Sequence, residues 1–495
     1  LPTERPPRAE AEALANEAIA DPAGWVGNVL GRSLWQRQRE IIESVRDNRE
    51  TAVKSCHAAG KSYTAANVAL WWLYNYPHSL VLTTAPTDRQ VRGILWKEIR
   101  TGHQRARWPL GGELLSQELK LESDWFAWGF TAPDYDPDRF QGFHAIHTLV
   151  IVDEASGVSE EIYEAIDGVL TADESRLLMI GNPTNPSGRF AKAFRIPSVG
   201  KISISAFETP NFSAFGITED DIRANTWEEK ITGPLPAPYL VTPRWVYDRF
   251  TRWGEESPLY LAKVRARFPQ VGTDGLIPLH WIEAAVERIL IPSEPSELAV
   301  DVARFGSDES VIMHRRGPVA RTLKILPFCD TMTLAGEVIL AFRSTGARCA
   351  KIDAVGIGAG VYDRLKEQEF EVDEMQAGAR AADPEQFANT RAEWYWGLRK
   401  LFEEEAIDIE EDEELIVQLT DIRYKVNSRG QILIESKEDM KRRGVSSPDR
   451  ADALMLLFAQ GREWDIVAVP ASAISRGTVL PTMSRTQSGI PRMVY

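Results

Sequence analysis

Residues 55–62 read SCHAAGKS, and residues 149–154 read LVIVDE. The first stretch ends in Gly-Lys-Ser. It follows TAVKS (51–55), a β-branched and apolar run suited to a buried strand. After it, Ala66, Ala69, Leu70 and Leu73 recur at helical spacing. Strand, small-residue loop and helix is the context in which such a loop cradles phosphate. The backbone N–H groups of Ala58, Ala59, Gly60 and Lys61 would face the phosphates at the positive helix end. Ser55, Cys56 and His57 form the loop's entry, with Ser55 where a first glycine is usual and Lys54 as a second cation. Lys61 would reach the terminal phosphates, and the Ser62 hydroxyl would ligate Mg²⁺.

In LVIVDE, Leu149 to Val152 predict a fully buried parallel strand. Asp153 at its end would hold Mg²⁺ through water, and Glu154 would polarise the attacking water. Taken singly, each piece has a bland reading: a chance Gly-Lys-Ser at a helix start, or a strand ending in solvated acids. Together they point to nucleotide hydrolysis. Upstream, SLWQRQREII (33–42) puts Trp35 and Gln38 ahead of the first strand. An aromatic and a glutamine there suit adenine, hence ATP; the plain alternative is the start of an amphipathic helix. Cys56 and His57 suggest either thiol chemistry or tolerated loop residues.

The second half of the chain carries a different chemistry. ELAVDVARFGSDESVIMHRRG (297–317) reads as strand, turn and strand, with Asp301 inside the first strand. A carboxylate in an apolar strand is costly unless it is paired or holds a metal. CAKIDAVGIGAGVYDRL (349–365) repeats the pattern, Asp353 closing a strand before a glycine-rich helix start. SSPDRADALMLLFA (446–459) opens a helix with Ser447 as the cap and Pro448 at the first position, and places Asp449 and Asp452 on one face. Strand-borne and helix-borne aspartates of this kind are what a two-metal nuclease needs, with ions about 3.5–4 Å apart. Each acid alone could be a turn residue, a cap or a surface charge. Asp308 and Asp363 read that way, Asp308 with an outer role as its alternative.

These residues together resemble the large subunit of tailed-phage terminases, over roughly residues 30–460. LTTAPTDRQVRGILWKEI (82–99) is similar to the family's segment after its second strand. LLMIGNPTNPSGRF (177–190) is similar to its coupling motif, carried by Gly181, Asn182 and Thr184. RWGEESPLYLAKVRARFP (252–269) resembles the stretch joining its two domains, and 351–365 with 436–454 resemble its RNase H-like nuclease. The resemblance implies an α/β fold: a P-loop ATPase with a parallel-rich sheet, followed by an RNase H-like mixed-sheet nuclease. It implies a motor that hydrolyses ATP to move double-stranded DNA into a procapsid and cuts concatemers with Mg²⁺, Mn²⁺ also serving the nuclease. Its partners would be the small terminase subunit and the portal protein, in a homo-oligomeric ring. It would work in the host cell cytoplasm and transiently on the procapsid. Arg139, in PDRFQGFH (137–144), would be an arginine finger acting in trans. RADAL (450–454) points to Asp452 as the principal helix ligand and Asp449 as a secondary one. Two other function classes compete: a cellular helicase–nuclease of repair or restriction, and a nucleotide-dependent assembly switch with a vestigial nuclease. The absence of an extended second motor domain disfavours the first; intact Glu154 and the full aspartate set disfavour the second.

A length of 495 residues suits two or three domains. The expected boundaries are 1–230 for the ATPase, 231–295 for a proline-rich linker or lid, 296–465 for the nuclease and 466–495 for a flexible tail. Three cysteines without paired spacing argue against a disulfide framework or a zinc site. With no signal peptide and no long apolar span, a soluble protein with no membrane partner is expected. Leu1 in place of Met suggests processing or a trimmed start. The net charge of −15 is unusual for a DNA-binding chain, but nine acids fall between 403 and 414, and without them −6 remains. That stretch reads as a solvated acidic surface, or as a guard keeping DNA off one face. Lys437, Lys441, Arg442 and Arg443 are the candidate DNA-contacting cations.

Overall fold

The computed structural model describes residues 16–131, 145–269, 275–303, 309–353, 358–427 and 429–459. Its first sheet is built on the apolar run of the opening motif. Strand β6 (Thr148–Asp153) is buried along its whole length. It pairs in parallel with β2 (Leu80–Thr84) and β7 (Arg176–Gly181). Parallel pairing continues from β7 through β1 (Glu50–Ser55) to β8 (Gly200–Ile204). On the other side, β2 pairs with β5 (Trp125–Gly129), and the antiparallel β4 (Glu118–Glu122) and β3 (Glu113–Leu114) finish that edge. The eight-stranded order is β3-β4-β5-β2-β6-β7-β1-β8. Successive residues alternate into two cores, Leu149 and Ile151 into one, Val150 and Val152 into the other. That two-sided burial explains the unbroken apolar run. The C-terminal ends of β1, β6 and β7 converge, and there the phosphate-loop motif and Asp153 emerge.

The second sheet has the order β11 (Val319–Pro327), β10 (Glu309–Arg316), β9 (Ser296–Asp301), β12 (Cys349–Asp353), β13 (Val372–Met375). Strands β9, β10 and β11 are antiparallel. Strands β12 and β13 run parallel to β9. This is the strand order of an RNase H-like sheet, as expected. Because Ile352 stands opposite Val300, Asp301 and Asp353 leave neighbouring strands at the same end. One face packs on the helices Thr331–Thr345 and Gly358–Glu367. The other carries the helix Asp449–Phe458, which crosses β9 and β10.

That last helix is held at both ends. Its N-terminal turn presents Asp449 and Asp452. At its other end the buried Lys351 ammonium donates to the carbonyls of Leu457 (3.1 Å) and Ala459 (2.8 Å). The same ammonium lies 2.9 Å from the buried Glu297 carboxylate, which also receives Arg315 and Arg348. Lys351 thus satisfies carbonyls that a helix end leaves unpaired.

Two expectations, the start of the last helix and the solvation of the acidic stretch, are corrected. The helix begins at Asp449 with Pro448 at the cap position, one residue later than expected, and the Ser447 hydroxyl donates to the Asp449 carboxylate instead. The acidic stretch is not simply solvated. Asp408 is buried and accepts from Arg321 and from the Leu290 N–H; Asp412 pairs with Arg450; Glu413 pairs with Arg249 and accepts from the Trp253 indole. The proline-rich stretch holds three helices, Pro243–Trp253, Pro258–Lys263 and Leu279–Glu287, which bury Trp253, Leu259, Tyr260 and Ile282. Pro243 and Pro258 open their helices, where a missing N–H costs nothing. Of the candidate DNA-contacting cations, Arg443 is tied to Glu435 and Arg442 to Asp439, and Lys437 stands among the aspartates. Residues 466–495 lie outside the described residues. No helix among the described residues is long and apolar enough to cross a membrane.

Removing the Lys351 ammonium should be costly. Lys351→Met leaves two helix-end carbonyls unsatisfied and takes one of three cations from Glu297, for an expected loss of about 2–4 kcal/mol in urea unfolding. Burial alone would raise the Glu297 carboxyl; Lys351 and then Arg315 outweigh it and hold it at about 2. A depressed carboxyl contributes stability that is complete above its ordinary value of about 4.3 and is lost as the pH falls towards 2. In Lys351→Met, that acid-side decline should be shallower.

Candidate active sites

The phosphate-loop motif leaves the buried strand β1 and enters the helix Lys61–Asn75. Gly60 has φ +81°, and a Cβ there would stand 2.6 Å from the Gln38 amide nitrogen, so the turn requires glycine. The N–H groups of Cys56 and His57 are already engaged, donating to Ile204 O (2.8 Å) and Lys263 O (2.7 Å). These two amides are therefore braces of the loop rather than part of the cradle expected at Ala58, Ala59, Gly60 and Lys61. The Ser55 hydroxyl is likewise turned inward, onto Cys56 O. Burial pushes the Cys56 thiol up to about 12, which removes the thiol-chemistry reading. His57 stacks on Trp245 with ring centroids 5.3 Å apart.

The groups beyond the loop come from the neighbouring strand ends. Ser62 Oγ donates to Asp153 Oδ2 at 2.8 Å. Lys61 Nζ donates to Asn182 Oδ1 at 3.1 Å and lies 3.7 Å from Glu154 Oε1. Asn182 in turn donates to Ser55 O at 2.7 Å, so the residue after β7 bridges the lysine and the loop's base. Burial, then the adjacent Glu154, push the Asp153 carboxyl up to about 6, against Lys61 and Ser62. Glu154 adopts a left-handed backbone (φ +47°), a conformation that costs a non-glycine residue on the order of 1 kcal/mol. Gly181 permits the close approach: a Cβ there would sit 2.8 Å from Ala155 N. A hydroxyl, a buried carboxylate and a lysine at converging strand ends suit a magnesium-bound triphosphate.

Gln38 is buried and links two places at once. Its Oε1 accepts from Trp35 N (3.3 Å), and its Nε2 donates to Gly60 O (3.4 Å). Trp35 lines an open cleft of about 510 Å³ with Arg37, Glu208, Pro210 and Pro236. Arg139 lies outside the described residues.

At the second sheet, Asp301 and Asp353 close adjacent strands, and Asp449 and Asp452 face them from the helix start. Lys437 lies among them. Its Nζ is 2.8 Å from Asp452 Oδ2 and 3.7 Å from Asp449 Oδ1. Burial pushes the Asp301 carboxyl well above its ordinary value; Lys437 opposes this, while Asp452, Asp449 and Asp353 add to it. Asp452 goes the other way. Burial would raise it, but Lys437 and then Arg391 hold it below the usual range. Asp449 has a structural task as well, since its Oδ2 accepts from the Glu309 N–H at 2.9 Å and ties the helix to β10.

Among the described residues, the group of three metal-ligand atoms within 4.8 Å of one another is His78, Glu122 and Asp124, all exposed. No three of the four aspartates approach that closely, and the Lys437 ammonium occupies the space beside the two helix acids. Asp301, Asp353, Asp449 and Asp452 nevertheless offer a hard-oxygen donor set, which suits Mg²⁺ or Mn²⁺. Sequence reasoning missed Lys437 as a member of this cluster, and missed Arg391 and Tyr395 entirely. Their spacing of four on one helix face was the only local signal.

No family model matches the chain. A probable terminase large subunit of Enterobacteria phage P7 is 28% identical over 464 residues, covering 86% of this chain and 87% of that protein. Among solved structures, the nuclease domain of the large terminase subunit gp2 of bacterial virus Sf6 aligns with 37% of this chain and 98% of its own, at 22% identity and a TM-score of 0.35. The large terminase of a thermophilic bacteriophage, in complex with ADP, aligns with 86% of this chain and 98% of its own, at 10% identity and a TM-score of 0.39. Along most of its length, this chain is similar to the large subunit of phage terminases.

Proposed function

We propose that the chain hydrolyses ATP at the phosphate loop to drive double-stranded DNA into a procapsid, and cuts DNA at the aspartate cluster. The observation that carries the hydrolytic half is the set of contacts joining Ser62 to Asp153 and Lys61 to Glu154 and Asn182. Likeness to a probable terminase large subunit supports the packaging role, with the small subunit and the portal as partners, a ring of copies as the working form, and the host cytoplasm as its place.

The residues divide the work as follows. Trp35 borders the cleft for the base, and the buried Gln38 behind it joins Trp35 to the loop at Gly60. Lys61 moves from Glu154 to the terminal phosphate, which frees Glu154 to orient the attacking water. Asn182 follows Lys61 and carries the change into the segment after β7. Arg139 of a neighbouring copy completes the charge around the phosphoryl group. Ser62 and Asp153 would hold Mg²⁺, and Asp301, Asp353 and Asp452, with Asp449 secondary, would hold Mg²⁺ or Mn²⁺; bound there, the ions supply positive charge to the reacting phosphate. At the second site, Lys437 must yield its place on Asp452 before that carboxylate can serve an ion.

Two substitutions test the pairing of activities. Glu154→Gln should abolish ATP turnover and leave metal-dependent plasmid cleavage detectable; Asp353→Ala should do the reverse. Loss of both activities in either folded variant contradicts two separate sites. A second comparison ranks the helix acids. Asp452→Asn should lose nearly all cleavage at any Mn²⁺ concentration. Asp449→Asn should mainly weaken metal use, by roughly 10–100-fold as supporting groups do. Plasmid cleavage titrated with Mn²⁺ reads both, and the opposite ranking would make Asp449 the principal ligand.

A further inference from the structure

The two oxygens of Asp452 are treated differently. Oδ2 faces Lys437, whose ammonium is 2.8 Å away. Oδ1 faces inward, accepting from the Tyr395 hydroxyl at 2.6 Å and from Arg391 Nη2 at 3.3 Å. Both donors belong to the helix Thr390–Glu403, one turn apart, with the guanidinium 5.1 Å from the tyrosine ring centre. Tyr395 is fully buried, and the Arg391 side chain is 15% exposed. The second arm of Arg391 is also engaged: Nη1 donates to Glu435 O at 2.7 Å. Glu435 stands two residues before Lys437, whose helix Lys437–Arg442 begins after the Ser436 cap.

We infer that Tyr395 and Arg391 are positioning residues that lock Oδ1 of Asp452 and leave Oδ2 as its single working oxygen. Arg391 does a second thing. By holding Asp452 with one arm and the approach to Lys437 with the other, it sets the spacing between the carboxylate and the lysine. A planar fork can serve two acceptors in fixed directions, which an ammonium cannot. A tyrosine needed only to fill the core would not require a hydroxyl directed at a carboxylate; phenylalanine fills the same space. The inference rests on the reading of Asp452 as a metal-holding acid.

Tyr395→Phe removes one oxygen and should melt close to the wild-type temperature. Freed to rotate, Asp452 should hold an ion less well. Half-saturating Mn²⁺ for plasmid cleavage should rise roughly 10–100-fold, with the rate restored at high Mn²⁺. Calorimetric Mn²⁺ titration of the nucleotide-free full chain should show the same shift, taking Asp301→Asn as the baseline that isolates this site from Ser62 and Asp153. Arg391→Lys should recover part of what Arg391→Ala loses, because it restores the charge but not the rigid fork that spans Asp452 Oδ1 and Glu435 O. A Tyr395→Phe variant that binds Mn²⁺ and cleaves like wild type overturns the inference. So does one that binds Mn²⁺ like wild type but never cleaves, which would place the hydroxyl in the reaction itself. If Asp452→Asn binds Mn²⁺ and cleaves like wild type, the reading of the site fails, and this inference with it.

Discussion

A carboxylate at the end of a fully buried strand cannot turn away from its site, and it cannot stay charged without a partner. Both sites follow from that constraint. Asp153 and Asp301 are each preceded by residues packed into cores on both faces of a sheet, so their side chains have one direction available. The protein then supplies cations from elsewhere: Lys61 at the first sheet, Lys437 at the second. Burying an unpaired carboxylate is costly. Where the supply falls short, burial pushes the carboxyl above its ordinary range, as at Asp153 and Asp301.

The two sites solve the partner problem with different geometry. In the first, Lys61 and Ser62 belong to the helix that begins at the loop itself, so the cation and the hydroxyl travel with the backbone that would meet phosphate. In the second, the lysine comes from a short separate helix, and the acids come from two strands and a third element. The acidic stretch after the helix Thr390–Glu403 braces this second arrangement. Asp412 holds Arg450, next to Asp449, and Gln418 accepts from the N–H groups of Arg450 and Ala451 at the helix start. Charges that look redundant in the linear chain are therefore distributed to fixed partners.

How much was legible depended on the range of the interaction. The strand in LVIVDE, the loop before Lys61 and the aspartates closing β9 and β12 are local patterns, and hydrophobic runs ending in acids declare them. The adjacency of Asp301 and Asp353 was readable only once strand order was assumed. Lys437 carried no local signal of its role, and Arg391 and Tyr395 only their spacing of four, because all three meet Asp452 from across 15 to 61 residues of chain. Lys437 stood in a basic cluster that looked like a nucleic-acid contact, yet the nearest strong negative charge was internal. Within 231–295, Pro243 and Pro258 start helices, a use of proline that composition alone does not reveal. The acids of 403–414 looked solvated because their partners, Arg249, Arg321 and Arg450, are distant in sequence.

The pinning of the helix Asp449–Phe458 by Lys351 has a mechanical side. The ammonium grips the final carbonyls at the point where the chain runs on past Ala459. The same ammonium sits on β12 and faces Glu297 on β9, so the last turn of the helix cannot shift along the sheet without breaking these contacts. The anchor works as a clamp does on a beam: it fixes one end to the frame, and the aspartates stand at the other.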